Sequence, residues 1–363
     1  MKILFVTRKF PPVIGGMENV AARLYEELSA KETVELVAVR SKTGGKHLGL
    51  PFAYLNLAWR SLRTGKRLNP DIIYIQDGVL APLGRFLHRC LKRPVVVTVH
   101  GTEVVYGNRI YRKFILPSLA KMHHTVAIST GTAEKTKKVF PLLPITIINW
   151  GSDDSYYIEQ SKSELRKKLA ADLNIDLSKR PLLYHSGRLV ERKGALWLVE
   201  KVMPRVAEVV PDVLLLISGG GKDAEKIRLA IIQNNLQENV RMVGYVLGER
   251  RRLLYNASDL FIMPNIPGYG FEGFGMVAVE SSSCGTPVVA SRFEGIIDAV
   301  VEGRTGWLLE PGNADDFVER IVAEIKAPSL KRQDVRLATL KKYDWEKTTA
   351  NYLKLFDTVI TRK

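Results

Sequence analysis

The feature that most constrains this chain is an alternation that runs once, stops and begins again. From the first residue, short runs rich in β-branched side chains (KILFVT, VELVAVR, DIIYIQD, PVVVTVH, HTVAIS and ITIINW) alternate with amphipathic segments such as MENVAARLYEELSAK. Runs this short and apolar suit strands buried on both faces, with the intervening segments crossing back as helices over a parallel sheet. A polar stretch, DDSYYIEQSKSELRKKLAADLNIDLSKR, interrupts the pattern and reads as a linker with one charged helix. PLLYHSG, VLLLISG, VRMVGY, LFIMP and PVVAS then restart it, separated by helical segments such as GALWLVEKVMPRVAEVV and EKIRLAIIQNN. The expectation is an α/β protein of two doubly wound domains, residues 1–160 and 175–340, with the boundary near 155–180. A length of 363 residues, too long for one ordinary core, agrees. Ligands of such sheets sit outside the carboxyl ends of the strands, so two domains facing each other predict a cleft there. The last segment, WEKTTANYLKLFDTVI, is an amphipathic helix free to pack on either domain.

No run of 18 uncharged apolar residues is present, and the five-residue apolar start runs straight into Arg8 and Lys9, unlike a signal peptide. Cys90 and Cys284 offer neither a disulfide framework nor a metal spacing, and both are expected as buried thiols of a cytosolic chain. The net charge of +16 is uneven: residues 1–150 carry 23 Lys and Arg against 9 Asp and Glu, whereas residues 151–363 carry 31 against 29. That imbalance points to an anionic partner of the first half, an anionic lipid surface or a nucleic acid, with a merely solvated basic face still open. Clusters at Lys66-Arg67, Arg85 to Arg93 and Arg109 to Lys113 include Leu62, Phe86, Leu87, Tyr111 and Phe114, a mixture suited to an interfacial face. No RNP signature or zinc spacing supports the nucleic acid.

The chemically suggestive residues fall just after predicted strands. Pro11-Pro12-Val13-Ile14-Gly15-Gly16 precedes a helix; paired glycines there allow close approach of a phosphate, though a structural turn fits as well. VTVH ends in His100, followed by Gly101-Thr102-Glu103. PLLYHSG leads into Arg188, then Arg192, Lys193 and Gly194; a planar fork and a compact charge at one helix start suit a diphosphate, with Arg192 the more exposed member. Ser218 to Lys222 form another glycine-rich turn. After LFIMP, a glycine-rich loop carries Glu272, and MVAVESSSCG forms a helix containing Glu280 and ended by Gly285. Carboxylates accept hydrogen bonds from sugar hydroxyls, while the backbone N–H groups of Gly273, Phe274, Gly275, Met276 and Val277 at the helix start can face phosphates.

Together, Gly15-Gly16, His100-Gly101, Gly187-Arg188 with Lys193-Gly194, and Glu272-x7-Glu280 resemble the retaining GT-B glycosyltransferases. More narrowly they resemble the group 1 family, which includes phosphatidylinositol mannosyltransferases and enzymes of cell-surface polysaccharide assembly. The likeness spans nearly the whole chain and is strongest over 181–306. It implies two Rossmann-like domains of GT-B architecture, the first holding the acceptor and the second the nucleotide sugar, with the helix at 345–363 packing back on the first. It also implies that Arg188 and Lys193 hold the donor diphosphate, Glu280 the ribose and Glu272 the transferred sugar, with His100 at the sugar or reacting centre and the Gly16 N–H near the phosphate. His100, Glu272, Arg188 and Lys193 are thus the expected catalytic residues. No cofactor and no metal are expected: there is no D-x-D, and Asp153-Asp154 and Asp315-Asp316 read as linker and helix start. Glu103 stands where the family often has Asp, Trp150 interrupts the usual Asn-Gly, and the 265–270 loop is longer than in many relatives. The expected function is sugar transfer from a UDP- or GDP-sugar to a lipid-linked or polysaccharide acceptor at the cytoplasmic membrane face. The alternatives are a soluble acceptor, a GT-B-fold epimerase, or a basic binding protein for nucleic acid or sugar nucleotides.

Overall fold

The computed structural model describes residues 1–12, 15–39, 50–109, 111–152 and 154–362. They form two compact units, Met1–Gly151 with Asp344–Lys363, and Ser152–Tyr343.

In the first unit, β1 (Lys2–Thr7), α1 (Gly16–Ser29), β2 (Thr33–Ala38), α2 (Leu50–Leu68), β3 (Ile72–Ile75), α3 (Ala81–Leu91), β4 (Val95–Val99), α4 (Thr102–Val105), β5 (His124–Ala127), α5 (Thr130–Val139) and β6 (Ile145–Ile147) follow one another. All strands pair in parallel, in the order β2-β1-β3-β4-β5-β6. The central strands β1, β3 and β4 are buried on both faces beyond the first residue of β1, as their unbroken apolar runs require. The edge strands β2 and β6 are only half-buried, because one neighbour is missing. Each large side chain buried in these layers contributes about 1.5–3 kcal/mol relative to exposure.

The second unit continues with α6 (Lys162–Leu173), β7 (Leu182–Ser186), α7 (Ala195–Trp197), α8 (Met203–Val209), β8 (Leu214–Ser218), α9 (Ala224–Gln233), β9 (Val240–Gly244), α10 (Gly248–Ala257), β10 (Leu260–Met263), α11 (Met276–Ser283), β11 (Val288–Ser291), α12 (Ile296–Ala299), β12 (Gly306–Leu309), α13 (Ala314–Lys326) and α14 (Arg332–Lys342). Its sheet is again parallel, ordered β12-β11-β10-β7-β8-β9. The segment read as linker is structured within this unit: Ser161 and Glu164 form a capping box at the start of α6, and Leu165, Leu169 and Leu173 are buried. β12, GWLL, escaped the sequence pattern because it is four residues long and opens on a glycine.

The last helix, α15 (Trp345–Thr361), belongs to the first unit. Tyr352 and Phe356 are fully buried against Tyr74 of β3 at ring separations of 5.5 Å. The Tyr74 hydroxyl lies 2.7 Å from Thr98 Oγ1, and the Tyr352 hydroxyl 3.3 Å from the same atom. Among the described residues no helix is long and apolar enough to cross a membrane. Cys284 is buried, but Cys90 is exposed near the end of α3, contrary to expectation: it falls on the solvent side of a helix whose buried face is Ala81, Leu83, Gly84 and Leu87.

Candidate active site

The loop between β10 and α11 is built around Glu272. Its Oε2 accepts from Arg192 Nη1, from Lys193 Nζ at 2.5 Å and from Asn265 Nδ2 at 3.0 Å. The Glu272 main chain is fixed too: its N–H donates to Glu294 at 2.7 Å, and its carbonyl accepts from the Gly295 N–H at 3.1 Å. Burial alone would raise this carboxyl, but the Lys193 and Arg192 charges hold it below the ordinary carboxylate value. Burial pulls the Lys193 ammonium down; Glu272 opposes that and Arg192 adds to it. Gly194 makes the approach possible: its φ is +70°, and a Cβ there would overlap the Pro264 carbonyl oxygen at the end of β10.

The exposure expected around Arg188 is reversed. Arg192 is buried by its bond to Glu272, whereas Arg188 is exposed and makes no ion pair among the described residues. Lys193 is partly buried. Lys193 and Glu272 therefore meet directly, while Arg188 makes no ion pair in that cluster among the described residues, though its charge adds to the lowering of Lys193.

Glu280 lies one turn into α11. Its Oε2 accepts from Arg251 and, at 2.9 Å, from the Tyr255 hydroxyl. Arg251 and Tyr255 sit four apart on α10 and so share one face. Burial, reinforced by the Glu280 charge, raises the Tyr255 phenol well above its usual value, so it stays a donor. Both glutamates thus direct all their bonds through one oxygen, and Oε1 of each carries none among the described residues. Gly275, left-handed at φ 98°, turns the chain into α11, whose first residues, Met276 and Val277, are partly buried. N–H groups in a first helical turn have no intrahelical partner. Gly273 is half-buried, and Phe274 is buried against Tyr343 at a ring separation of 6.0 Å.

His185, at the end of β7, is buried, with Nδ1 donating to the Ile262 carbonyl at 2.9 Å. Burial holds its pKa down at about 4, so it is neutral near pH 7.

In the first unit, Gly15 is extended and Gly16 opens α1; a Cβ on Gly15 would run into the Glu18 carboxylate, which pairs with Lys9 at 3.0 Å. Val13 and Ile14 of the same motif lie outside the described residues, as do His47 and Asp153. His100 is buried: Nε2 donates to the Gln76 carbonyl at 2.8 Å, its ring lies 5.4 Å from Trp150, and Nδ1 is buried with no hydrogen-bond partner among the described residues. Because a carbonyl only accepts, Nε2 carries a proton, and in the neutral ring Nδ1 is then an acceptor. Glu103 takes the His100 N–H on both oxygens at 3.1 Å. Burial raises its carboxyl, His100 opposes that, and neighbouring Asp77 pushes it further up. Asp77 is itself buried, paired with Arg8 and capping the Val79 N–H at 3.0 Å.

The residues missed in the sequence are Arg251, Tyr255, Asn265, Glu294 and the buried role of Arg192. Only the four-residue spacing of Arg251 and Tyr255 gave a local signal. Of the apolar residues expected on the basic face, Leu87 and Tyr111 are buried in the core and Leu62 packs against it; Phe86 and Phe114 are exposed. Among the described residues no group of three or more His, Cys, Asp or Glu is set to hold a metal ion. Asp315 and Asp316 open α13, their N–H groups capped by Asn313.

Comparison with known proteins follows the two units. Residues 166–338 match the family model "Glycosyl transferases group 1", and residues 14–156 match "Glycosyltransferase Family 4". The chain is 26% identical over 346 residues to the GDP-mannose-dependent alpha-(1-6)-phosphatidylinositol monomannoside mannosyltransferase of Mycolicibacterium smegmatis, covering 90% of this chain and 89% of that one. It is 30% identical over 177 residues to the phosphatidyl-myo-inositol mannosyltransferase of Mycobacterium leprae, 48% of this chain and 46% of the relative. Among solved structures, Anabaena HepE in complex with UDP and glucose superposes with a TM-score of 0.77 at 19% identity, over 99% of this chain and all of that one. The sucrose-phosphate synthase of Thermosynechococcus elongatus gives 0.78 at 19% identity, over the full length of both. With both units matched and two parallel α/β sheets of the GT-B kind, the chain belongs to the group 1 glycosyltransferases and resembles the phosphatidylinositol mannosyltransferases among them.

Proposed function

We propose that this enzyme transfers a sugar, with retention of anomeric configuration and without a metal, from a nucleoside-diphosphate sugar to a lipid-linked or polysaccharide acceptor at the cytoplasmic membrane face. The observation that carries this is the matched state of the two glutamates. Each is ionically anchored through Oε2 and keeps Oε1 available, as a hydroxyl-binding carboxylate needs. Glu280 is assigned the ribose and Glu272 the transferred sugar. Lys193, Arg188 and the first N–H groups of α11 meet the diphosphate, and the bare His100 Nδ1 is an acceptor toward the sugar. As the anomeric C–O bond breaks, negative charge grows on the departing diphosphate. Fixed cations and N–H groups stabilise it there by several kcal/mol, on the order of what one preorganised donor supplies in other enzymes. GDP-mannose is the first donor to test, since two relatives covered to 89% of their length are named for it.

Support for a membrane acceptor comes from α2. Phe52, Leu55 and Trp59 are 77, 66 and 59% exposed, the helix contains no acidic residue, and Arg63, Lys66 and Arg67 continue the same outward stripe. Aromatic and aliphatic side chains beside basic ones suit an anionic bilayer surface.

The test is a thermal-shift panel of GDP-, UDP- and ADP-sugars, run with a chelator on wild type and Glu280→Ala. A ligand at 100 times its Kd stabilises by about 2.7 kcal/mol. A shift with one nucleotide class, weakened in the variant, is expected; well-folded protein that answers to no sugar nucleotide would sink the proposal. NMR of the product anomer then checks retention.

A further inference from the structure

The second unit contains a cavity of about 300 Å³ at the amino ends of its strands, the edge of the sheet opposite the β10–α11 loop. Its wall includes Lys162 and Arg166 of α6, Asp259 just before β10, Gly285 and Arg332. The charge there does not balance. Asp259 Oδ1 pairs with Lys162, and Oδ2 pairs with Arg166 while also accepting the Leu182 N–H at 2.7 Å. Glu324, the other carboxylate in the wall, is taken by Ser329 and by Arg320 at 3.2 Å. Arg332 pairs with no carboxylate among the described residues: its guanidinium donates to the main-chain oxygen of Asn256 and, at 3.0 Å, to the Asn256 side chain. With Lys179 and Arg180, which also line the cavity, five cations of the wall face two carboxylates, an excess of three charges. Burial lowers the pKa of both Lys162 and Arg332, as expected for cations short of counter-charge.

Arg332 is held in place by shape as well. A Cβ on Gly285 would overlap its side chain, so the glycine that ends α11 also makes room for the guanidinium. A second hollow of about 320 Å³ shares Lys162, Arg166 and Ser178 and extends the same basic surface. Desolvated cations short of counter-charge are unfavourable, whereas a guanidinium beside an ammonium matches the oxygens of a phosphate.

We propose that this cavity binds a small dianionic phosphate ester, separately from the donor site, with Lys162 and Arg332 as its principal ligands. Two negative charges offset most of the local excess. The site is not mechanically isolated: Asn256 lies on α10 with Arg251 and Tyr255, and α11 runs from Glu280 to the glycine beneath Arg332. An anion that draws Arg332 away from Asn256 therefore acts on both helices that fix Glu280.

The test is calorimetric titration of the full chain with inorganic phosphate and with glycerol 3-phosphate. Wild type is compared with Lys162→Gln, Arg332→Gln and the donor-loop variant Lys193→Gln. Saturable binding, at least tenfold weaker in the first two variants and unchanged in Lys193→Gln, is the expected result. Absence of saturable binding overturns the proposal. So does equal weakening in all three variants, or loss in Lys193→Gln with binding intact in Lys162→Gln, which would leave the donor loop as the only anion site. Should Arg332→Gln misfold by circular dichroism, Lys162→Gln and Lys179→Gln decide the matter. Nucleotide-sugar binding is scored separately, so failure here leaves the proposed transferase activity standing, and the reverse.

Discussion

Each unit buries a glutamate just past the carboxyl end of a strand, and the two are treated in opposite ways. Glu272, beyond β10, is met by Lys193 and Arg192, and its carboxyl is held low. Glu103, beyond β4, accepts from the His100 N–H and, at 3.5 Å, from the Thr102 hydroxyl, and burial, helped by Asp77, drives its carboxyl up against the opposing effect of His100. The sequence Glu-then-glycine in one loop and Gly-Thr-Glu in the other does not distinguish them; the cations brought in from other strand ends do. The second unit presents an ionised, cross-braced carboxylate, whereas the first keeps a carboxyl that takes up a proton readily.

The severest way to break this contrast is Glu272→Ala. Two partly buried cations then lose their counter-charge, and a loss of about 3–5 kcal/mol in the second unit is expected from chemical denaturation. Glu272→Gln, which keeps an oxygen for Asn265, should fall between. Glu280→Ala comes next, at about 1.5–3 kcal/mol for a lost hydrogen bond to a charged group, with nucleotide-sugar affinity reduced at least tenfold by calorimetry.

The pH response sharpens the comparison further. The contribution of Glu272 is present above the ordinary carboxylate pKa and disappears as pH falls through its lowered folded value. That of Glu103 is present below the ordinary value and disappears as pH rises through its raised one. Hydrogen exchange at pH 4 and pH 7 should therefore show the two loops moving in opposite senses, the 272 loop less protected in acid and the 103 loop more. The smallest expected effect is that of Glu103→Gln. It keeps an acceptor for the His100 N–H, should change stability by about 1 kcal/mol or less at pH 7, and should flatten the pH dependence in the first unit only. A Glu103→Gln protein with an unchanged pH profile would mean that Glu103 does not titrate as its surroundings imply.

Much of the fold was legible because buried parallel strands carry their signature locally: an unbroken β-branched run needs no knowledge of its neighbours. β12 was missed for the complementary reason, since GWLL owes its strand pairing to Val288–Ser291 and not to its own pattern. The placement of Glu272 in a glycine-rich loop and of Glu280 within the next helix also came from spacing. Their partners did not. Asn265, Arg251 and Tyr255 converge through the topology, and the order of strands β7 and β10 decides that Arg192 turns inward while Arg188 turns out. The exposure of Cys90 and the burial of Leu87 and Tyr111 failed similarly, because composition does not say which side of a helix faces the sheet.

The docking of α15 on β3 has a consequence for how the protein is made. The first unit needs Tyr352 and Phe356, which leave the ribosome after the whole of the second unit, Ser152–Tyr343. At about 5–20 residues per second, the sheet of the first unit waits roughly 10–40 s for the helix that completes it. Of the two units, the one that begins to emerge earlier is thus the one completed later, and it carries its exposed aromatic and basic stripe through the whole interval.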